Sequence, residues 1–139
     1  MKPVVQLERT GCGIACVAAA AGVSYRRAQR TANRLGIFAD DQRLWSETSH
    51  VRRLLDHYGI RAARTEKRFV SWRALPDLAL LAIKWRKIGT RAVWHWAIFW
   101  RGPDGPCVLD SKRTLRTNTR TDFGRMRPKW FIGIDTSRR

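Results

Sequence analysis

The first half of the chain carries a helical spacing of apolar residues, and the second half a strand spacing. Residues 12–21, CGIACVAAAA, are small and apolar on every side, which predicts a helix buried all round rather than one with a wet face. Ser24 is placed to cap a second helix over residues 25–35, and Gly36 to end it. Asp40 and Asp41 fall in a loop. Ser46 or Thr48 opens a third helix to about residue 58, because Val51, Leu54, Leu55 and Tyr58 recur on one face and Gly59 follows. Residues 60–65 then read as a strand and 70–75 as a short helical turn. Apolar runs at 78–85 and 93–100 have strand length. Gly102-Pro103-Asp104-Gly105 is a turn that pairs 93–100 with 106–110 as a hairpin, and 130–134 supplies a last strand. Helices first and antiparallel strands after make an α+β fold.

No repeat or linker divides the chain, so its 139 residues are read as one domain, 1–139. No apolar run approaches the ~18–20 residues that span a bilayer. The alanine-rich stretch 11–22 imitates the core of a secretory signal, but Glu8 and Arg9 interrupt its approach. Cleavage after Ala20 or Ala21 would also discard two of the three cysteines. A cytoplasmic protein is therefore expected, with export as the alternative. Cys12 and Cys16 lie one helical turn apart and Cys107 is remote, a placement that suits free thiols rather than a disulfide framework.

Charge changes the picture of partners more than the picture of fold. Lys and Arg number 28 against 11 Asp and Glu, a formal net charge of +17. Such a field favours anionic partners: nucleic acid, an acidic membrane or cell-wall surface, or an acidic peptide. It also serves as a plain solubility device. The densest stretch, 111–129, holds seven basic residues and one acid; it reads as a solvated loop or as an anion-facing lip over a site.

Candidate chemistry starts with Cys12, at the predicted start of the first helix. A thiol nucleophile needs its thiolate form, which a helix N-terminus and a neighbouring imidazole both favour. Gly11 and Gly13 flank it, leaving room for a substrate backbone, although Gly-Cys-Gly at a buried helix also suits packing alone. Of three histidines, His50 and His57 lie seven apart on one helix, about 10 Å at 1.5 Å per residue, too far to share a metal. His95 is different. It interrupts the apolar run Trp94 to Trp100, where alternation puts His95, Ala97 and Phe99 on one face and Trp94, Trp96 and Ile98 on the other. A polar ring there needs a partner. Asp110, at the end of the paired strand, can orient one ring nitrogen and leave the other for a thiol, or form a purely structural pair. No CxxC or HxxxH spacing suggests a metal, and no glycine-rich loop suggests a phosphate site or any other cofactor.

Gln6, then Cys12-Gly13-Ile14-Ala15-Cys16, then His95-Trp96-Ala97-Ile98 and Val108-Leu109-Asp110 resemble the bacteriocin-processing cysteine peptidases, the double-glycine leader peptidases. The resemblance implies a papain-like fold with Cys12 as nucleophile, His95 as general base and acid, Asp110 as orienting group and Gln6 as oxyanion donor. It also implies that Cys16 is structural. Two positions depart from the family: Gly11 stands where an acidic residue is common before the nucleophile, and Ser111 where a proline commonly follows the aspartate. The expected function is thiol-dependent cleavage of peptide or amide bonds in a protein, a leader-like peptide or cell-wall peptide, with Gly11, Gly13 and Trp96 beside the substrate. The competing expectation is a catalytically silent module of the same fold that holds nucleic acid or an acidic protein on its arginines.

Overall fold

The computed structural model describes residues 1–136 of the chain; the last three residues of the expected domain lie outside the described residues. Three helices come first, α1 (Cys12–Ala21), α2 (Tyr25–Arg34) and α3 (Ser49–His57). Strands follow: β1 (Lys67–Arg68), β2 (Leu78–Ile88), β3 (Arg91–Gly102), β4 (Gly105–Leu109), β5 (Thr119–Arg120) and β6 (Trp130–Gly133). They form one antiparallel sheet in the order β1-β6-β2-β3-β4-β5. The architecture is α+β. No helix among the described residues is long and apolar enough to cross a membrane.

The local signals act largely as their chemistry dictates. Nine of the ten residues of α1 are buried, so this alanine-rich helix is the hub of the helical layer. Ser24 caps α2 by accepting from the Arg27 N–H at 3.2 Å, and Gly36 takes a left-handed φ of 78° just beyond its end. The third helix starts at Ser49 rather than Ser46, with Thr48 at its cap position making no side-chain cap bond.

Along β3 the alternation is real. Trp94, Trp96 and Ile98 join the core that includes α1, whereas Ala97 and Phe99 join a smaller core on the opposite face with Leu81, Ile83 and Val108. Both faces are covered, so the central strands read as near-continuous apolar runs.

Two expectations are corrected and a third is extended. Residues 60–65 form no strand; only Ala62 makes a single bridge, to Ile134, and pairing with β6 falls instead to Lys67 and Arg68. Residues 70–75 form turns rather than a helix. The runs 78–85 and 93–100 both extend into a long β2–β3 hairpin closed at Ile88↔Arg91, with Gly89 at a φ of 63° in its two-residue turn. A glycine in a two-residue loop between Ile88 and Arg91 was the available hairpin signal. The basic stretch 111–129 is mostly loop, but β5 within it pairs with β4 and returns Arg120 to the sheet.

Candidate active site

The end of β4 builds the site. β3 and β4 pair as far as Ile98↔Leu109 and then part. Residues opposite each other share a face, so Asp110, the next residue, lies on the face His95 occupies. Beyond that point β3 has lost its neighbour, and the Trp96 N–H is free of the ladder. It donates instead to the Cys12 Sγ at 3.4 Å, so the first turn of α1 abuts the vacated edge of β3. Three distant segments converge because one strand stops early.

His95 sits between the two other groups. Its Nε2 meets the Asp110 Oδ1 at 2.7 Å, and the ring shares one cleft with the Cys12 thiol, close enough for the two to interact, which leaves Nδ1 as the nitrogen for sulfur. Burial pushes the imidazole pKa down, but the bonds to Asp110 and then to Cys12 outweigh it and raise the value to about 9. Asp110 is 0% exposed. Burial would raise its pKa; the His95 bond and charge, the Lys112 N–H at 3.2 Å and the Arg120 guanidinium at 3.0 Å hold it at about 2 instead. The carboxylate therefore stays charged and fixed.

Arg120 is the partner that sequence reading missed. It grips Asp110 with Nη1 and Asp122 with Nε and Nη2, and it arrives on β5 from the stretch read as a basic loop. Asn118 closes the same turn, donating to the carbonyls of Asp110 and Lys112. The only available clue was an Asn and an Arg spaced eight and ten residues after the aspartate, and basic residues are too common here for it to stand out.

Gln6 reaches the same cleft as Cys12 and His95. Its Nε2 donates to the carbonyls of Glu8 at 3.1 Å and Arg9 at 2.7 Å, and its Oε1 accepts from the Ser111 hydroxyl at 2.7 Å. In this state it braces the loop before α1. Gly11, Gly13 and Trp96 do not line the cleft. A Cβ on Gly11 would collide with the Tyr25 hydroxyl, and one on Gly13 would crowd Leu44, Val51 and Trp96. Both glycines thus permit close packing. Trp96 is 0% exposed and donates its indole N–H to the Leu44 carbonyl at 2.7 Å; it is Trp94 that lines the cleft.

The cleft has a volume of about 430 Å³. Trp45, Trp94 and Ile88 supply apolar wall, while Arg9, Lys84, Arg86 and Lys112 supply four cations. No Asp or Glu among the described residues lines it. The other thiols are placed differently. Cys16 is buried one turn further along α1, where burial first and then the nearby charges of Cys12 and Asp110 push its pKa well up. Cys107 is buried on β4, and burial raises its pKa as well. His50 contacts Asp41 at 3.3 Å and His57 stacks edge-on against Tyr58. Among the described residues no group of three or more His, Cys, Asp and Glu side chains is arranged to hold a metal. A thiol, an imidazole and a fixed carboxylate in series are equipped for nucleophilic attack followed by proton return. No protein-family model matches the chain, and no curated protein matches its sequence.

Proposed function

We propose that the protein is a papain-like thiol hydrolase of the kind its motifs resemble, cleaving peptide or amide bonds through Cys12. The observation that carries this reading is the His95 ring held by the Asp110 carboxylate at 2.7 Å in the cleft that also contains the Cys12 thiol. The Cys12 thiolate attacks the substrate carbonyl carbon while His95 holds the proton taken from sulfur. The tetrahedral oxyanion rests at the N-terminus of α1, on the Cys12 N–H, with Gln6 as second donor. For that, Gln6 exchanges its longer bond, to the Glu8 carbonyl, for the substrate oxygen. Collapse of the intermediate breaks the C–N bond, and His95 gives its proton to the departing amine. Water, deprotonated by His95, then attacks the thioester, and the acid leaves with Cys12 restored. Asp110, itself gripped by Arg120, keeps the imidazole oriented throughout.

The test is alkylation with iodoacetamide, mapped residue by residue by mass spectrometry. Cys12 should be labelled at least ~10-fold faster than Cys16 or Cys107, since a thiol paired with an imidazole reacts as thiolate. The cations of the cleft favour one second reading, a catalytically silent module that binds an anionic macromolecule. Slow and equal labelling of all three thiols supports that reading and removes the first.

A further inference from the structure

β2 contains one strained residue, and it stands beside the proposed nucleophile. Between the pairs Ile83↔His95 and Arg86↔Val93, β2 has two residues where β3 has one, which is a β-bulge. The first of the two, Lys84, has a φ of 53° and is the only non-glycine residue with positive φ among those described. A side chain in that region costs on the order of 1 kcal/mol, and bulges of this hand ordinarily place glycine there. The strain has a visible consequence. Lys84 lines the cleft that contains Cys12 and His95, and it also lines a second cleft, of about 450 Å³. In the first it stands with Arg9, Arg86 and Lys112, near enough to Lys112 for the two ammonium charges to repel. In the second it stands with Arg125, Arg127 and Lys129. Asp110, an acid whose charge reaches Lys84, is already engaged by His95, Arg120 and the Lys112 N–H. Two like charges held together over one cleft, at a strained position, are an arrangement that an anion relieves.

We propose that Lys84 and Lys112 form an anion subsite beside Cys12, and that the substrate is a polypeptide carrying Asp or Glu side chains next to the scissile bond, continuing along the cationic track past Lys84. This rests on the reading of Cys12 as nucleophile and names the substrate class for that site. A polypeptide is favoured over nucleic acid because, of the three tryptophans along the track, only the half-buried Trp45 is left to offer a base an open ring face. Trp94 is only 7% exposed and packs against Trp96 and Trp130, and Trp85 carries the Lys129 ammonium on its ring at 4.5 Å. Base stacking needs such a face.

The test compares Cys12 alkylation by iodoacetate, an anion, with alkylation by neutral iodoacetamide. The ratio of the two rates reads the local potential whether or not a substrate is known. Lys84→Gln and Lys112→Gln should each lower that ratio about threefold, and the pair about tenfold, an effect that shrinks at high salt. Arg26→Gln, which removes an equal charge from the exposed face of α2, should leave it unchanged. Lys84→Gly separates subsite from scaffold: with the strain gone, its urea midpoint should be no lower than wild type, yet its ratio should fall as in Lys84→Gln. A Cys12 that reacts fast but whose ratio ignores both lysines overturns the subsite and leaves the hydrolase standing. A Cys12 no faster than Cys16 overturns the hydrolase, and with it the substrate assignment. In the Cys12→Ala protein, labelled octaglutamate should bind at least ~10-fold more tightly than octathymidylate. Equal or tighter binding of the oligonucleotide overturns the choice of a polypeptide.

Discussion

The chain contains two histidine–aspartate pairs, His95–Asp110 at 2.7 Å and His50–Asp41 at 3.3 Å, each with an arginine on the carboxylate. By residue type they are the same triad of side chains. They differ in what surrounds them. Asp110 is sealed at 0% side-chain exposure and bridges two elements of the sheet, whereas Asp41 is 21% exposed, caps its own short turn and shares its charge with the largely exposed Arg43. The His95 ring opens on a cleft that it shares with a thiol; the Nδ1 of His50 is buried without a protein partner. A paired imidazole is therefore no sign of chemistry by itself. The third group, and access to it, make the difference.

The comparison breaks most visibly at the carboxylates. Asp110→Asn should lower hydrolysis of a peptide-library substrate by about 10³-fold or more, because the imidazole loses the group that fixes its orientation and tautomer. Asp41→Asn should change it by less than about twofold, because neither Asp41 nor His50 lines the cleft. Comparable losses in both variants would mean that Asp110 matters only through the fold, which circular dichroism and the urea midpoint would then register.

The pairs also separate by pH. The His95 pKa is about 9 in the folded chain against about 6.5 unfolded, so its contribution is complete below pH 6.5 and disappears as pH rises toward 9. Asp110, held at about 2, contributes above about pH 4 and loses that contribution as pH falls toward 2. The pair thus stabilises fully between about pH 4 and 6.5. Urea denaturation should show stability falling by at most about 3 kcal/mol from pH 6.5 to 9, because each pH unit between the unfolded and folded values is worth about 1.36 kcal/mol. His95→Gln should flatten that decline.

A smaller contrast lies in the arginines. Arg120→Gln should reduce turnover roughly tenfold with little change in KM, since Asp110 keeps its bonds to His95 and the Lys112 N–H but loses the clamp that aims it. Arg43→Gln should leave both constants alone.

How much of this the chain announced depends on distance along it. Cys12, His95 and Asp110 were legible because each sits at a point where a local rule is broken or ends: a thiol between glycines at a helix start, a ring inside an apolar strand, a carboxylate at a hairpin's close. α1, the Ser24 cap and the β3–β4 hairpin were legible for the same local reason. Arg120 was not, because its meaning depends on β5 pairing with β4 across a loop, and nothing local marks one arginine among 22. The bulge at Lys84 was hidden in the same way, since a register shift is a relation between two strands. The roles suggested for Gly11, Gly13 and Trp96 met packing that sequence alone does not reveal: Tyr25 fills the space over one glycine, and Leu44, Val51 and Trp96 fill that over the other.

The last contrast returns to α1, where two thiols four residues apart have the same helix and nearly the same exposure, 4% and 3%. If burial decided reactivity they would behave alike. Cys12 instead has the Trp96 N–H, the His95 ring and the cleft, while one turn further Cys16 has only packed side chains, and its thiol is held neutral by burial. Cys16→Ala should therefore cost about 1 kcal/mol, the loss of one buried sulfur, and leave the alkylation rate of Cys12 within about twofold. In the Cys12→Ala protein, Cys16 should stay unlabelled on the timescale that consumes Cys12 in the wild type. Rapid labelling of Cys16 there would mean that the helix, rather than the imidazole at the edge of β3, selects the reactive sulfur.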